Sequence, residues 1–298
     1  MDQRPHLHGI HVPLITPFTA GGGIAEDALE GLGHAVLDAG AAGIVALGTT
    51  AEASTLDAGE KHAVIKVCAR VCGERDATLL IGTGSNDTRA SAAALAELAQ
   101  WPAGGALVPV PYFTRPSEAG VLAHFTQLAA TSPVPLIIYH VPYRTGQPLG
   151  AASLRALGRV PRIVGVKYAT GNIDQETIDL LGDLPPGFTL LAGDDLFVSP
   201  LLALGAAGGI LASAHLATGR FVELARAWHE GDVGRARALG HALAGLAAAI
   251  FAEPNPTVIK GVLHAQGRIP TASVRLPLLP AARDSVNVTL KRLGDLCE

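Results

Sequence analysis

The stretch Arg162-Ile163-Val164-Gly165-Val166-Lys167 is a short apolar run with a cation at each end. Its length and its β-branched residues suit a strand better than a helix. Similar runs recur at Ile10–Ile15, Gly43–Leu47, Thr78–Ile81, Ala106–Val110, Leu136–Tyr139, Thr189–Ala192 and Gly208–Leu211. Helical patterns lie among them, over Asp27–Asp38, Thr88–Trp101, Ser117–Ala130 and Ile173–Leu181, with another from Asp57 to about Cys72. Asp57 and Glu60 have the spacing of a helix N-cap with its reciprocal partner. About eight strand-then-helix units predict a parallel α/β sheet, and eight fit a closed (β/α)8 TIM barrel better than an open sheet. Beyond Gly231 the Ala/Leu-rich segments Ala236–Ala252, Thr257–Gln266 and Ala281–Leu293 predict three helices packed on the barrel. The expected division is therefore a barrel over 1–230 that carries the active site and a helical region over 231–298.

Composition agrees with a large core under a lean surface. Of 298 residues, 49% are apolar and 16% charged, against roughly 25% charged in an average soluble domain. A formal net charge of −4 with no basic stripe excludes a nucleic-acid partner. Met1–Val12 lacks the apolar core of a signal peptide. Leu196–Gly219 carries no formal charge, but Pro200 and several glycines split it into a helix followed by a strand, so no membrane span is expected. Cytoplasmic localisation follows as the expectation. Cys68, Cys72 and Cys297 do not form a metal or disulfide pattern; Cys68 and Cys72 read as small buried hydrophobes. His6, His8 and His11 lack partners at metal-ligand spacing and read as a solvated tail. Neither a metal nor a cofactor is expected, because Gly82-Thr83-Gly84 lacks the third small residue of a dinucleotide loop where Asp87 stands. Asp194-Asp195 reads as helix N-capping, Lys260 as part of a solvated helix face, and Leu239–Ala252 as a segment buried in the core or a subunit interface.

In such a barrel the chemistry belongs at the C-terminal ends of the strands. Three ends stand out: Gly48-Thr49-Thr50-Ala51-Glu52, Tyr139-His140-Val141-Pro142-Tyr143-Arg144-Thr145-Gly146, and Lys167-Tyr168-Ala169-Thr170-Gly171-Asn172. Lys167 is one of five lysines, with Lys61, Lys66, Lys260 and Lys291, and it closes an apolar strand. Desolvation there disfavours an ammonium, and a neutral amine can attack the carbonyl of a 2-oxo acid to form an imine that acts as an electron sink. Tyr139 and Thr49 offer hydroxyls for proton relay. Thr49 and Thr50 suit a carboxylate, and Arg144 offers a bidentate fork for a second one.

On these segments, together with Thr16-Pro17-Phe18, Pro111-Tyr112-Phe113-Thr114-Arg115-Pro116, Gly193-Asp194-Asp195 and Glu253-Pro254-Asn255-Pro256, the chain resembles the dihydrodipicolinate synthase/N-acetylneuraminate lyase family of pyruvate-dependent aldolases. The resemblance runs essentially end to end. It implies that Lys167 is the Schiff-base lysine, Tyr139 the proton-shuttling tyrosine, Thr49 the relay hydroxyl, Thr50 a pyruvate-carboxylate contact and Ile210 part of the pocket wall. Arg144 in its Arg-Thr-Gly setting is similar to the synthase branch, where this arginine receives the carboxylate of aspartate semialdehyde. The implied partners are a small 2-oxo acid and an aldehyde, and the implied assembly is a homo-oligomer, a tetramer built from dimers. Two further readings stay open: an aldolase or dehydratase of a 2-keto-3-deoxy sugar acid or related 2-oxo acid, and a non-catalytic pyruvate-binding homologue.

The chain departs from the synthase pattern at several positions. Phe113 stands where the synthases have a second tyrosine that completes a relay in the neighbouring subunit. Ala51 replaces a usual Gly, Ala53 a usual Ser and Tyr168 a usual Glu. At the positions that hold feedback lysine in regulated members stand Ala58, Lys61 and Ala90, without the usual His and Glu. Turnover is therefore expected to be insensitive to lysine. A coupled assay with millimolar lysine checks this, and lysine-responsive turnover contradicts it.

Overall fold

The computed structural model describes residues 5–296; Cys297 and the first four residues of the expected tail lie outside them. Eight parallel strands close into a barrel in chain order: β1 (Gly9–Pro13), β2 (Gly43–Ala46), β3 (Thr78–Gly82), β4 (Gly105–Pro109), β5 (Leu136–His140), β6 (Ile163–Tyr168), β7 (Thr189–Ala192) and β8 (Gly208–Ile210). This is the expected TIM barrel. Helices Val233–Ile250, Thr257–Ala265 and Arg283–Asp295 follow the last barrel helix, Ala214–Glu230. Two apolar layers fill the fold. Val45, Leu80, Leu107, Ile137, Val164, Leu191 and Ile210 are among the side chains in the barrel lumen. A larger cluster packs the outer strand faces against the helices.

Local sequence accounts for much of this. Asp57 accepts from the backbone N–H of Glu60 at 2.8 Å while Glu60 accepts from that of Asp57 at 3.0 Å, the reciprocal cap that starts helix Ala58–Glu74. Cys68 and Cys72 lie buried on that helix, and burial pushes both thiols up, Cys72 to about 12. Asp87 is itself an N-cap, accepting from Ala90 N–H at 2.7 Å. One helix of the ring, Ala151–Gly158, has no counterpart among the predicted patterns. It is eight residues long and starts at Gly150 with no side-chain cap. Leu196–Gly219 divides as expected into helix Val198–Ala203 and strand β8, and among the described residues no helix is long and apolar enough to cross a membrane. In Val233–Ile250, Leu239, Leu243, Leu246 and Ile250 are buried while other faces stay open.

Three expectations are corrected. His11 is not in a solvated tail: it lies on β1, buried in the barrel, with its Nε2 3.1 Å from the carbonyl of His6. Lys260 is not on a solvated face but fully buried. The Asp194-Asp195 pair does not cap the short turn that it begins, since no side-chain cap bond forms there.

The barrel also buries neutral imidazoles. His215 accepts from Ile15 N–H at 3.0 Å through Nε2, and its Nδ1 lies 2.8 Å from the carbonyl of Ala212, so one neutral tautomer satisfies both contacts. Burial lowers His11, His140 and His215 from 6.5 to about 4. Because these folded-state values lie below the unfolded one, the unfolded chain takes up protons first, and stability is lost as pH falls from 6.5 towards 4. At pH 5 each histidine costs about 2 kcal/mol. Asp195, raised to about 6, acts in the opposite direction below pH 6. The net expectation is a loss on the order of 4 kcal/mol between pH 7 and pH 5. Chemical denaturation across that range tests it, and a flat stability profile contradicts it.

Candidate active site

β5 and β6 pair in parallel with Tyr139 opposite Lys167, but the ladder slips earlier: Leu136 pairs with Ile163, and Ile137 with Gly165. Val164 is therefore one extra residue on β6, a bulge. Without it the alternation would carry Lys167 to the outer face with Val166 inside. With it Val166 packs outward, and Lys167 turns into the mouth beside Tyr139. Gly165 allows the approach, because a Cβ there would stand 2.7 Å from the carbonyl oxygen of Thr189. Gly193, just after β7, makes room for the side chain: its Cβ would stand 2.9 Å from Cγ of Lys167.

Lys167 and Tyr139 are both buried, and the lysine Nζ lies 4.3 Å from the centroid of the tyrosine ring. A cavity of about 20 Å³ above the amine is lined by all six residues singled out from sequence: Thr49, Thr50, Tyr139, Arg144, Lys167 and Ile210. Thr49 and Thr50 belong to a single 3₁₀ turn after β2, and Arg144 to a short helix, Pro142–Thr145, after β5. A larger cavity of about 600 Å³ adjoins it and shares Thr49, Tyr139 and Arg144, but it does not include Lys167. Phe113, with φ of +69°, is 88% exposed and lines neither cavity. Tyr168 faces away into the outer core, its hydroxyl 3.2 Å from Oγ1 of Thr177.

Further residues complete the site that the sequence patterns did not single out. Asn255 lines the cavity and donates through Nδ2 to Oγ1 of Thr50 at 2.9 Å, fixing that hydroxyl. Asp195 is buried and accepts from Ser213 N–H at 2.5 Å, joining the loop after β7 to the loop after β8. Burial raises its carboxyl to about 6, against the Ser213 hydrogen bonds and the charge of Lys167.

Glu52 follows the Thr49–Thr50 turn in a left-handed conformation, φ +54°, unusual for a side chain of its size. Its carboxylate is buried against the ammonium of Lys260 and also accepts from Arg275 N–H at 2.8 Å. Lys260 Nζ donates to the carbonyl of Ser273 at 2.9 Å and lies 4.0 Å from the ring centroid of Phe18. Arg275 stacks on the same ring at 4.5 Å and donates to Glu60 and to the carbonyl of Thr55. Burial draws Lys260 down to about 8, opposed by the Glu52 carboxylate. The ion pair thus bolts the C-terminal helices to the turn that carries Thr49 and Thr50. Helical periodicity marked Lys260 only as a polar position; its partner lies 208 residues away.

A model of the dihydrodipicolinate synthetase family matches residues 6–293. The chain belongs to this family. The 4-hydroxy-tetrahydrodipicolinate synthase of Moorella thermoacetica is 37% identical over 284 residues, covering 94% of this chain and 96% of its own. That of Thermosynechococcus vestitus is 38% identical over 283 residues, covering 95% and 94%. Among solved structures, a chloride-inhibited dihydrodipicolinate synthase from Acinetobacter baumannii, complexed with pyruvate, is 34% identical with a TM-score of 0.92 over 97% of this chain and 99% of its own.

Breaking the buried pair from one side strands a charge in the interior, at a cost of about 3–5 kcal/mol. Lys260→Met is expected to destabilise the chain by that amount in urea denaturation, and Glu52→Gln combined with Lys260→Met to recover part of it. A single variant that melts like the unaltered chain contradicts the buried-pair account.

Proposed function

We propose that the chain is a Schiff-base lyase that condenses pyruvate with aspartate semialdehyde, with Lys167 as the imine-forming amine. The observation that carries this reading is the lateral pairing of Lys167 with Tyr139 inside the barrel mouth, with two threonine hydroxyls and an arginine on the same cavity. The family membership and the activity of the relatives support it.

In this mechanism the Lys167 amine attacks C2 of pyruvate, and the carbinolamine loses water to give the imine. Tyr139 delivers the proton to the departing hydroxyl, and Thr49 relays protons to it. The hydroxyl of Thr50, oriented by Asn255, binds the pyruvate carboxylate, and Ile210 forms the apolar wall. Loss of a proton from C3 leaves an enamine whose C3 attacks the aldehyde carbon; the imine accepts the electron pair and later returns it. Arg144 receives the semialdehyde carboxylate through its fork of donors. Attack of the semialdehyde's own amine on the imine carbon then displaces Lys167 and closes the ring. The same reading places the enzyme in the cytoplasm as a homo-oligomer acting on small molecules without a cofactor.

One observation favours a second reading, aldol chemistry on a 2-keto-3-deoxy sugar acid: Phe113 puts a ring without a hydroxyl at the most exposed aromatic position of the chain.

Borohydride reduction in the presence of pyruvate is expected to fix a pyruvyl adduct on Lys167, read by peptide mass spectrometry, and Lys167→Ala to abolish it. Arg144→Ala is expected to keep the adduct while raising KM for the semialdehyde at least tenfold. No adduct on the unaltered chain refutes the imine; an adduct without turnover of any aldehyde favours a pyruvate-binding protein.

A further inference from the structure

Tyr143 sits one residue before Arg144 on the loop after β5, and three contacts tie it across the cavity mouth. Its hydroxyl donates to Oδ1 of Asp194, on the loop after β7, at 2.9 Å. Oδ2 of the same carboxylate accepts from Gly171 N–H, on the loop after β6, at 2.6 Å. The tyrosine ring rests against Gly171, where an added Cβ would stand 3.7 Å from the ring and φ is +78°. The guanidinium of Arg144 lies 5.8 Å from the ring centroid. Three successive loops are thus joined through one side chain, although 59% of its surface is exposed. Burial and the Asp194 charge hold the Tyr143 proton on, so the hydroxyl stays a donor.

We propose that Tyr143 determines the specificity of this enzyme for its aldehyde: latched to Asp194, it closes the mouth over Lys167 and admits a short carboxylated aldehyde while excluding a polyhydroxylated chain. The proposal rests on the imine chemistry assigned to Lys167 above. Two features of the geometry support it. The cavity over the amine is the narrow one, about 20 Å³ against about 600 Å³ in the cavity beside it, with Tyr143 and Asp194 in its wall. The cavity of about 600 Å³ beside it is not walled by Tyr143 and does not reach Lys167. Asp194 is the acceptor that the hydroxyls of a sugar chain would seek, and each of its oxygens already receives a donor from the protein. A sugar aldehyde would have to break the latch and give up hydrogen bonds the protein already makes. A semialdehyde needs only the carboxylate site at Arg144, which the latch leaves open.

The test compares kcat/KM for pyruvate with aspartate semialdehyde against pyruvate with D-erythrose, in the unaltered chain and in Tyr143→Phe and Tyr143→Ser. Phenylalanine keeps the ring on Gly171 but loses the tether; serine opens the wall. The ratio of erythrose to semialdehyde efficiency is expected to rise in the order Tyr, Phe, Ser, by at least tenfold at the end, with most of the change in KM. Melting curves identify a variant that fails to fold, and the phenylalanine variant then decides alone. A ratio unchanged within twofold in folded variants, alongside a normal borohydride adduct on the unaltered chain, overturns the specificity role and leaves the imine reading intact. Absence of that adduct overturns both.

Discussion

An extra residue on β6 decides where the amine goes. Side chains along a strand alternate faces, so a shift of one position moves every following side chain across the sheet. Val164 supplies that shift, and Lys167 consequently shares the inner face with Tyr139. The neighbouring chain is shaped around the result. Gly165 lets the strands approach at the bulge, and Gly193 leaves space for the lysine stem beyond β7. Neither glycine would tolerate a methyl group without displacing backbone or the lysine itself. The position of the amine therefore depends on a local irregularity of the ladder, and the regular barrel around it keeps that irregularity in one register.

A second constraint acts on the opposite side of the mouth. The turn after β2 must present Thr49 and Thr50 to the cavity, and it does so with Glu52 in a left-handed conformation. Buried charges hold it there: Lys260 and the backbone of Arg275 meet the Glu52 carboxylate, Phe18 lies beneath both cations, and Asn255 takes the hydroxyl of Thr50. The segment after the barrel is in this way part of the site, since it carries Asn255 in the turn before helix Thr257–Ala265 and Lys260 on that helix. An ion pair of this kind adds little net stability over an apolar pair but costs heavily when half of it is lost. Its value here is geometric, fixing a turn that would otherwise relax.

Much of the fold was legible beforehand because it rests on local chemistry. Eight short apolar runs, the Asp57–Glu60 cap and the glycine-bounded loops are properties of neighbouring residues. No local pattern marks helix Ala151–Gly158, which is short and has no capping side chain. His11 and Lys260 were misplaced for a different reason. A polar residue in a short pattern reads as solvated unless its surroundings are known; the closed barrel buries His11, and the Glu52 carboxylate that meets Lys260 is 208 residues away. The Asp194-Asp195 pair likewise looked like a cap, yet its carboxylates reach Tyr143, Gly171 and Ser213 on other loops.

The sequence by itself determined the architecture and marked residues that line one cavity at the barrel mouth. Strand and helix periods are set within a few residues, and a lysine closing an apolar strand can be recognised without coordinates. Tertiary structure alone decided which face of β6 that lysine occupies, because the bulge exists only relative to the register of β5. It alone assembled the cavity walls, since Tyr143, Asp194 and Asn255 act through partners on other loops, and it alone brought Glu52, behind the wall, to Lys260. Contacts between distant segments follow from how strands close into a barrel, and no local pattern records them.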